Sequence, residues 1–211
     1  MSYGQTPSTV WGPKMLSRIK QNSDAIEISV HTLPKQVKEL FILIVSIVTF
    51  PLSHICSKLV REFRHVFAEG NLPNITDSTA EILALPTNQL SLHDLVATGE
   101  AVEQEKDRLL NVFMDFAHTL CNKIVRAGYW ADYVDPCSGL PMLTKNCNKV
   151  YSEVDGMECC LHYKSFNAGF CKVLMHPRWG TAVYPATIFT WAPRHVVIEM
   201  LQEHQIISTD I

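Results

Sequence analysis

The sequence predicts an α+β fold, with one mixed or antiparallel sheet packed by helices, and three observations carry that expectation. Segments with strand and helix character follow in the order strand, helix, strand, long helix, several strands and a final helix. The 211 residues are 47% hydrophobic and 18% charged, which suits a folded chain that buries a sizeable core. Between Glu100 and Arg126 an unbroken apolar stripe marks one long amphipathic helix against which a sheet can pack.

Taken in order, residues 1–23 read as a flexible N-terminal extension, with Pro7, Gly12 and Pro13. They also carry Lys14, Arg18 and Lys20 with no acid before Asp24, a weak likeness to a mitochondrial presequence. A single α+β domain is expected over 24–205, and 206–211 form a tail. From Ala25 to Thr32 apolar and polar residues alternate, as in a half-buried strand. Thr32 suits a cap and Pro34 the first turn of a helix that begins near Lys35. Leu40 to Cys56 then holds no charged residue. That run is at the lower limit for a membrane span, and Pro51 and His54 interrupt it, so a membrane segment is disfavoured. A buried helix, or a strand followed by a turn, also fits.

Asn71 to Ser78 is rich in turn formers, and Ala80 to Leu85 reads as a strand that ends at Pro86. In the long helix Leu110, Phe113, Ala117, Leu120 and Ile124 recur every three or four residues. Glu100, Glu103 and Glu105 near its start and Lys123 and Arg126 near its end match the helix dipole. Gly128 ends it. A strand is expected over Tyr129–Val134 and a turn over Asp135–Gly139. Phe170–Met175 and Thr181–Thr190 read as strands joined by a hairpin at Pro177–Gly180, and a closing helix starts at Pro193.

A net charge of −3 supplies no basic footprint, which argues against nucleic acid as a partner. Seven cysteines, an odd number without a Cys-x-x-Cys pair, suggest reduced thiols in an intracellular protein. No phosphate loop, Gly-x-Ser-x-Gly or His-Glu-x-x-His signature is present, so no catalytic residues are assigned. Cys137, Cys147, Cys159, Cys160 and His162 cluster in sequence, but their only short pair is adjacent and chelates zinc poorly. Strand alternation sets Phe170, Lys172 and Leu174 on one face and Cys171, Val173 and Met175 on the other. Cys171 is read as a buried thiol, or as a thiolate made reactive by Lys172 or Arg178. Trp179 at a hairpin tip is a candidate contact for a partner or ligand, with His176 beside it. Tyr129 and Trp130 are read as core residues, and Asp132 and Asp135 as structural rather than acid–base groups.

Gly128-Tyr-Trp-Ala-Asp-Tyr-Val-Asp-Pro136, Ser138-Gly-Leu140, Gly169-Phe-Cys-Lys-Val173, His176, Trp179-Gly-Thr181 and Ile188-Phe-Thr190 together resemble the cobalamin-trafficking family named for methylmalonic aciduria and homocystinuria type D. The resemblance covers 100–202 well and 25–36 and 59–67 weakly. It implies a modified nitroreductase-like scaffold without flavin, and a non-enzymatic adapter that is cytoplasmic and also mitochondrial. The implied cargo is cobalamin. The implied partners are the cobalamin-processing protein of the type C group, then methionine synthase or methylmalonyl-CoA mutase. The alternative is a divergent scaffold that keeps the fold and a protein-binding surface but makes no cobalamin contact. The family pattern is Gly-Cys-Cys-Lys, whose first thiol is the proposed cobalt ligand; here that position is Phe170. The implied cofactor-binding set is Cys171, Phe170, Trp179 and His176, with Cys171 as the candidate ligand of cobalt. The resemblance also makes 33–36 and 59–67 one helix, so that 37–58 reads as an apolar insertion.

Overall fold

A computed structural model describes residues 15–21, 24–29, 31–32, 66–67 and 82–203. Before Val66, Ile28 is the one residue whose side chain is described. The apolar segment 37–58 and the helix expected from Lys35 lie outside the described residues, as do the turn-rich 71–78 and the tail 206–211. Of the helix expected over 59–67, Val66 and Phe67 are described; they are helical and buried.

β1 (Met15–Gln21) pairs antiparallel with β2 (Asp24–Ser29), and β3 (His31–Thr32) continues the line of β2. β1 corrects the reading of 1–23 as a flexible extension for its seven residues. The edge of β2 that faces away from the sheet offers unpaired backbone groups, and β1 takes them up.

β4 (Leu83–Leu90) runs through Pro86 where the sequence predicts an end. On one side its ladder to β8 (Val183–Thr190) is continuous, with Pro86 opposite Thr187. On the other side Ile28 pairs with Thr87 and His31 with Ala84 in one register, and the ladder skips Pro86 between them. Proline has no N–H to donate, and the strand tolerates it because the interruption falls on one neighbour only. β5 (Ala131–Tyr133) pairs with the far side of β8, giving the order β1-β2-β4-β8-β5 with every pairing antiparallel.

α1 (Glu100–Arg126) matches the sequence expectation, with Glu100 and Glu103 in its first turn, Lys123 and Arg126 in its last, and Gly128 just beyond it at φ +88°. Phe113, Phe116, Ala117, Leu120 and Ile124 pack on Ile28, Leu83, Leu85, Ala186 and Ile188, and Val197 and Leu201 of α3 (Arg194–Glu203) join this core. The other face of the sheet carries Ala84, Val183 and Phe189 and is covered by α2 (Glu153–Leu161) together with Val66 and Phe67. Phe67 meets Trp130 and Phe189 edge-on. β4 and β8 are therefore buried on both faces, which explains their lack of a clean apolar–polar alternation.

β6 (Lys164–Ala168) and β7 (Cys171–Met175) form a separate two-stranded ribbon. The sequence instead joins β7 to β8 through a hairpin at Pro177–Gly180. The tight turn is present, with reciprocal backbone bonds between His176 and Gly180, but the strands diverge from it into different sheets.

Candidate functional site

The ribbon carries the residues that the sequence singled out. Ala168 pairs with Cys171 across the two-residue loop Gly169-Phe170. Gly169 has φ +62° and Phe170 has no positive φ, the pattern of a type II′ turn with glycine at its first central position. Phe170 is thus at the tip of the hairpin and not inside a strand. Its relative exposure is 111%, so the side chain projects fully into solvent.

That placement corrects the expected opposition of faces between Phe170 and Cys171, because strand alternation does not extend into a turn. From Cys171 onward alternation holds. Lys172 and Leu174 face α2, and Leu174 is buried there with Met157 and Leu161. Cys171, Val173 and Met175 face outward beside their cross-strand partners Ala168, Phe166 and Lys164. Cys171 is exposed, which overturns the expectation of a buried thiol. The outer face is apolar apart from Lys164, with Phe166, Phe170 and Met175 all exposed.

Lys172 does not reach toward the thiol. Its Nζ donates to Asp155 Oδ1 at 2.7 Å and to Glu158 Oε2 at 2.6 Å, both on α2. Ser165 Oγ donates to Glu158 Oε1 at 2.5 Å. The two carboxylates raise the Lys172 pKa despite partial desolvation, which by itself lowers it. The ammonium is thus engaged on the α2 side of the ribbon, away from the face that carries Cys171.

His176 and Trp179 form the other half of the site. His176 is 2% exposed, and its Nδ1 accepts backbone N–H groups of Arg178 and Trp179, each at 3.2 Å. A nitrogen that accepts twice carries no proton, and burial lowers the pKa to about 4, so the ring is neutral near pH 7. The imidazole stacks on Trp179 at 4.1 Å between centroids and meets Tyr163 edge-on at 5.1 Å. Trp179 is half-buried on this platform instead of standing exposed at a tip, and the Arg178 guanidinium lies over its ring, 5.4 Å from the centroid. His176 shapes the turn that carries Trp179.

The remaining sequence candidates are structural. Asp132 is fully buried and accepts backbone N–H groups from Tyr133, Met142, Leu143 and Thr144 at 2.7–3.1 Å, which fixes the loop after β5. Asp135 caps its own turn through Cys137 N, Ser138 N and Ser138 Oγ. Among the described residues no three His, Cys, Asp or Glu side chains come together as a metal site.

Sequence reasoning missed Glu153. At the first turn of α2 its carboxyl accepts the Thr187 hydroxyl at 2.6 Å, and burial raises its pKa to about 8. Tyr151 is buried in the same core, with its pKa also raised by burial first and by Glu153 second. The available signal was Ser152 before Glu153-Val-Asp155, an N-cap followed by acids.

Comparison with known proteins agrees with the motif resemblance. A rat protein named "Cobalamin trafficking protein CblD" is 34% identical over 136 residues, covering 64% of this chain and 44% of the relative. Proteins of the same name from chicken and human are 33% and 32% identical over the same length and shares. The chain thus matches less than half the length of these relatives. The sequence model of the methylmalonic aciduria and homocystinuria type D protein family matches residues 52–202, which include β4, α1, the ribbon and β8, and the chain belongs to that family.

Proposed function

We propose that the chain is a non-enzymatic adapter in cobalamin trafficking that offers the outer face of the β6–β7 ribbon to a cobalamin-carrying partner. The observation that carries this reading is an exposed thiol, Cys171, beside a fully exposed aromatic, Phe170, on an apolar face outside the main sheet. A soft thiolate suits cobalt, and the apolar strip suits a desolvated contact. In this reading the partner is the cobalamin-processing protein of the type C group, and the cargo passes on toward methionine synthase or methylmalonyl-CoA mutase. The scaffold is nitroreductase-like without flavin, and the adapter works in the cytoplasm and in mitochondria. Trp179, held on His176, flanks the same segment of chain.

A second reading, a scaffold that binds the partner but not cobalamin, is favoured by one observation: Phe170 stands where the family pattern has its first thiol. Mixing the protein with the type C protein loaded with cobalamin separates the two. Ligation predicts a cobalt–thiolate change in the visible spectrum that Cys171→Ser abolishes. A complex on gel filtration without spectral change supports the second reading, and absence of any complex removes both.

A further inference from the structure

We infer that Lys172 is a positioning residue, which orients the outer face of the ribbon for docking by clamping it to α2, and that it does not act on the Cys171 thiol. The inference rests on the adapter reading for its functional part. Among the described residues β6 and β7 pair only with each other, so no ladder fixes the ribbon to the six-stranded sheet. What joins it to the body is its inner face. Leu174 enters the core, Lys172 bridges Asp155 and Glu158, and Ser165 holds the second oxygen of Glu158.

The clamp spans both strands. Lys172 comes from β7 and Ser165 from β6, and both converge on Glu158, which shares one face of α2 with Asp155. Residues 155 and 158 are three apart and so share that face. A single surface ion pair contributes little, but here two carboxylates, an ammonium and a hydroxyl form one network, and the side chains are only 20–36% exposed. α2 in turn is seated on the sheet by the buried Glu153–Thr187 bond. A continuous path thus runs from β8 through α2 to the ribbon, and it sets where Cys171 and Phe170 point. Lys172 and Cys171 are neighbours in a strand and project to opposite faces, so the ammonium serves the inner face alone.

The test uses the full chain with Lys172→Met and the charge-preserving Lys172→Arg. Lys172→Met is expected to speed amide hydrogen exchange across 164–175 about tenfold, while β4 and β8 stay unchanged. It should weaken binding to the cobalamin-loaded type C protein by about fivefold, the upper end for a partly exposed ion pair. The pH profile of Cys171 alkylation, followed on its own peptide by mass spectrometry, should keep its midpoint. Lys172→Arg should restore exchange and binding, and Glu158→Gln should reproduce the loss at smaller size should Lys172→Met fail to fold. Unchanged exchange in these variants overturns the clamp. Faster exchange with unchanged affinity overturns the positioning role, and a shifted alkylation midpoint shows that Lys172 tunes the thiol directly. If the wild-type protein forms no complex, the adapter reading fails, while the exchange data still decide the clamp.

Discussion

Three buried side chains show how much a single residue does here. Asp132 holds four backbone donors in a site closed to water, so Asp132→Ala strands those N–H groups as well as leaving a void. A loss of about 3 kcal/mol is expected, measured by urea unfolding. Glu153 and His176 give opposite dependences on pH. Glu153 has a folded pKa of about 8, above its usual 4.5, so the folded state holds the proton more tightly. Its contribution is fully present below about pH 4.5 and is lost as pH rises through 8. Glu153→Gln keeps an oxygen for Thr187 and removes the ionisation, so its Tm should exceed that of the wild type at pH 8.5 and converge with it near pH 4.5. A wild-type advantage at pH 8.5 would contradict a buried neutral carboxyl. For His176 the folded pKa is lowered to about 4 from 6.5, so the unfolded chain binds the proton first. Its contribution is present above pH 6.5 and is lost as pH falls toward 4. An NMR titration of its ring should show no midpoint above pH 5.

At the level of elements, α2 is where opposing effects can be weighed. Gly156 lies within the helix, where replacement by alanine ordinarily gains about 1 kcal/mol. A Cβ at that position would run into the Tyr151 hydroxyl and the ring carbon that bears it, and Tyr151 is buried. Overpacking costs about 1–3 kcal/mol, so Gly156→Ala should lower stability in thermal unfolding despite the better helix former. The same elements show what the chain discloses in advance. α1 was legible because its stripe, its end charges and Gly128 all agree. Even there Glu105, which looks like one more acid for the dipole, is buried, bonded to Arg108 and to Leu92 N, with its pKa lowered by the arginine first. β4 was cut short because Pro86 is a valid stop signal that a one-sided ladder overrides. α2 went unread because nine residues with a glycine and two adjacent cysteines give little periodicity. β6, Lys-Ser-Phe-Asn-Ala, has weak strand propensity and exists through its pairing with β7. The sequence singles out Phe170, Cys171, His176 and Trp179, but it does not disclose which of them are exposed. Whether Cys171 faces inward depends on which side α2 occupies, and α2 was the missing element.

Across the whole molecule the charge is unevenly spread. Residues 159–198, which hold the ribbon, the His176 turn and β8, contain no carboxylate, and besides Lys172, which is paired with Asp155 and Glu158, they carry Lys164, Arg178 and Arg194, in a chain of net charge −3. Docking through this segment should therefore be steered by an acidic surface. Stopped-flow association with the type C protein is expected to slow as salt rises from about 50 to 500 mM, with a smaller change in dissociation. Salt-independent association would place the contact elsewhere. The ribbon's turn adds a consequence for how such a protein can change over time. The backbone makes its one steric demand at Gly169, with φ +62°, and none at the position after it, whose side chain touches only water. Phe170→Cys should leave Tm within about 1 °C, since exposed substitutions seldom alter stability, and it would return a thiol to the tip. The frame is thus indifferent to its fingertip: the side chain at 170 can be lost, exchanged or restored without the frame registering it.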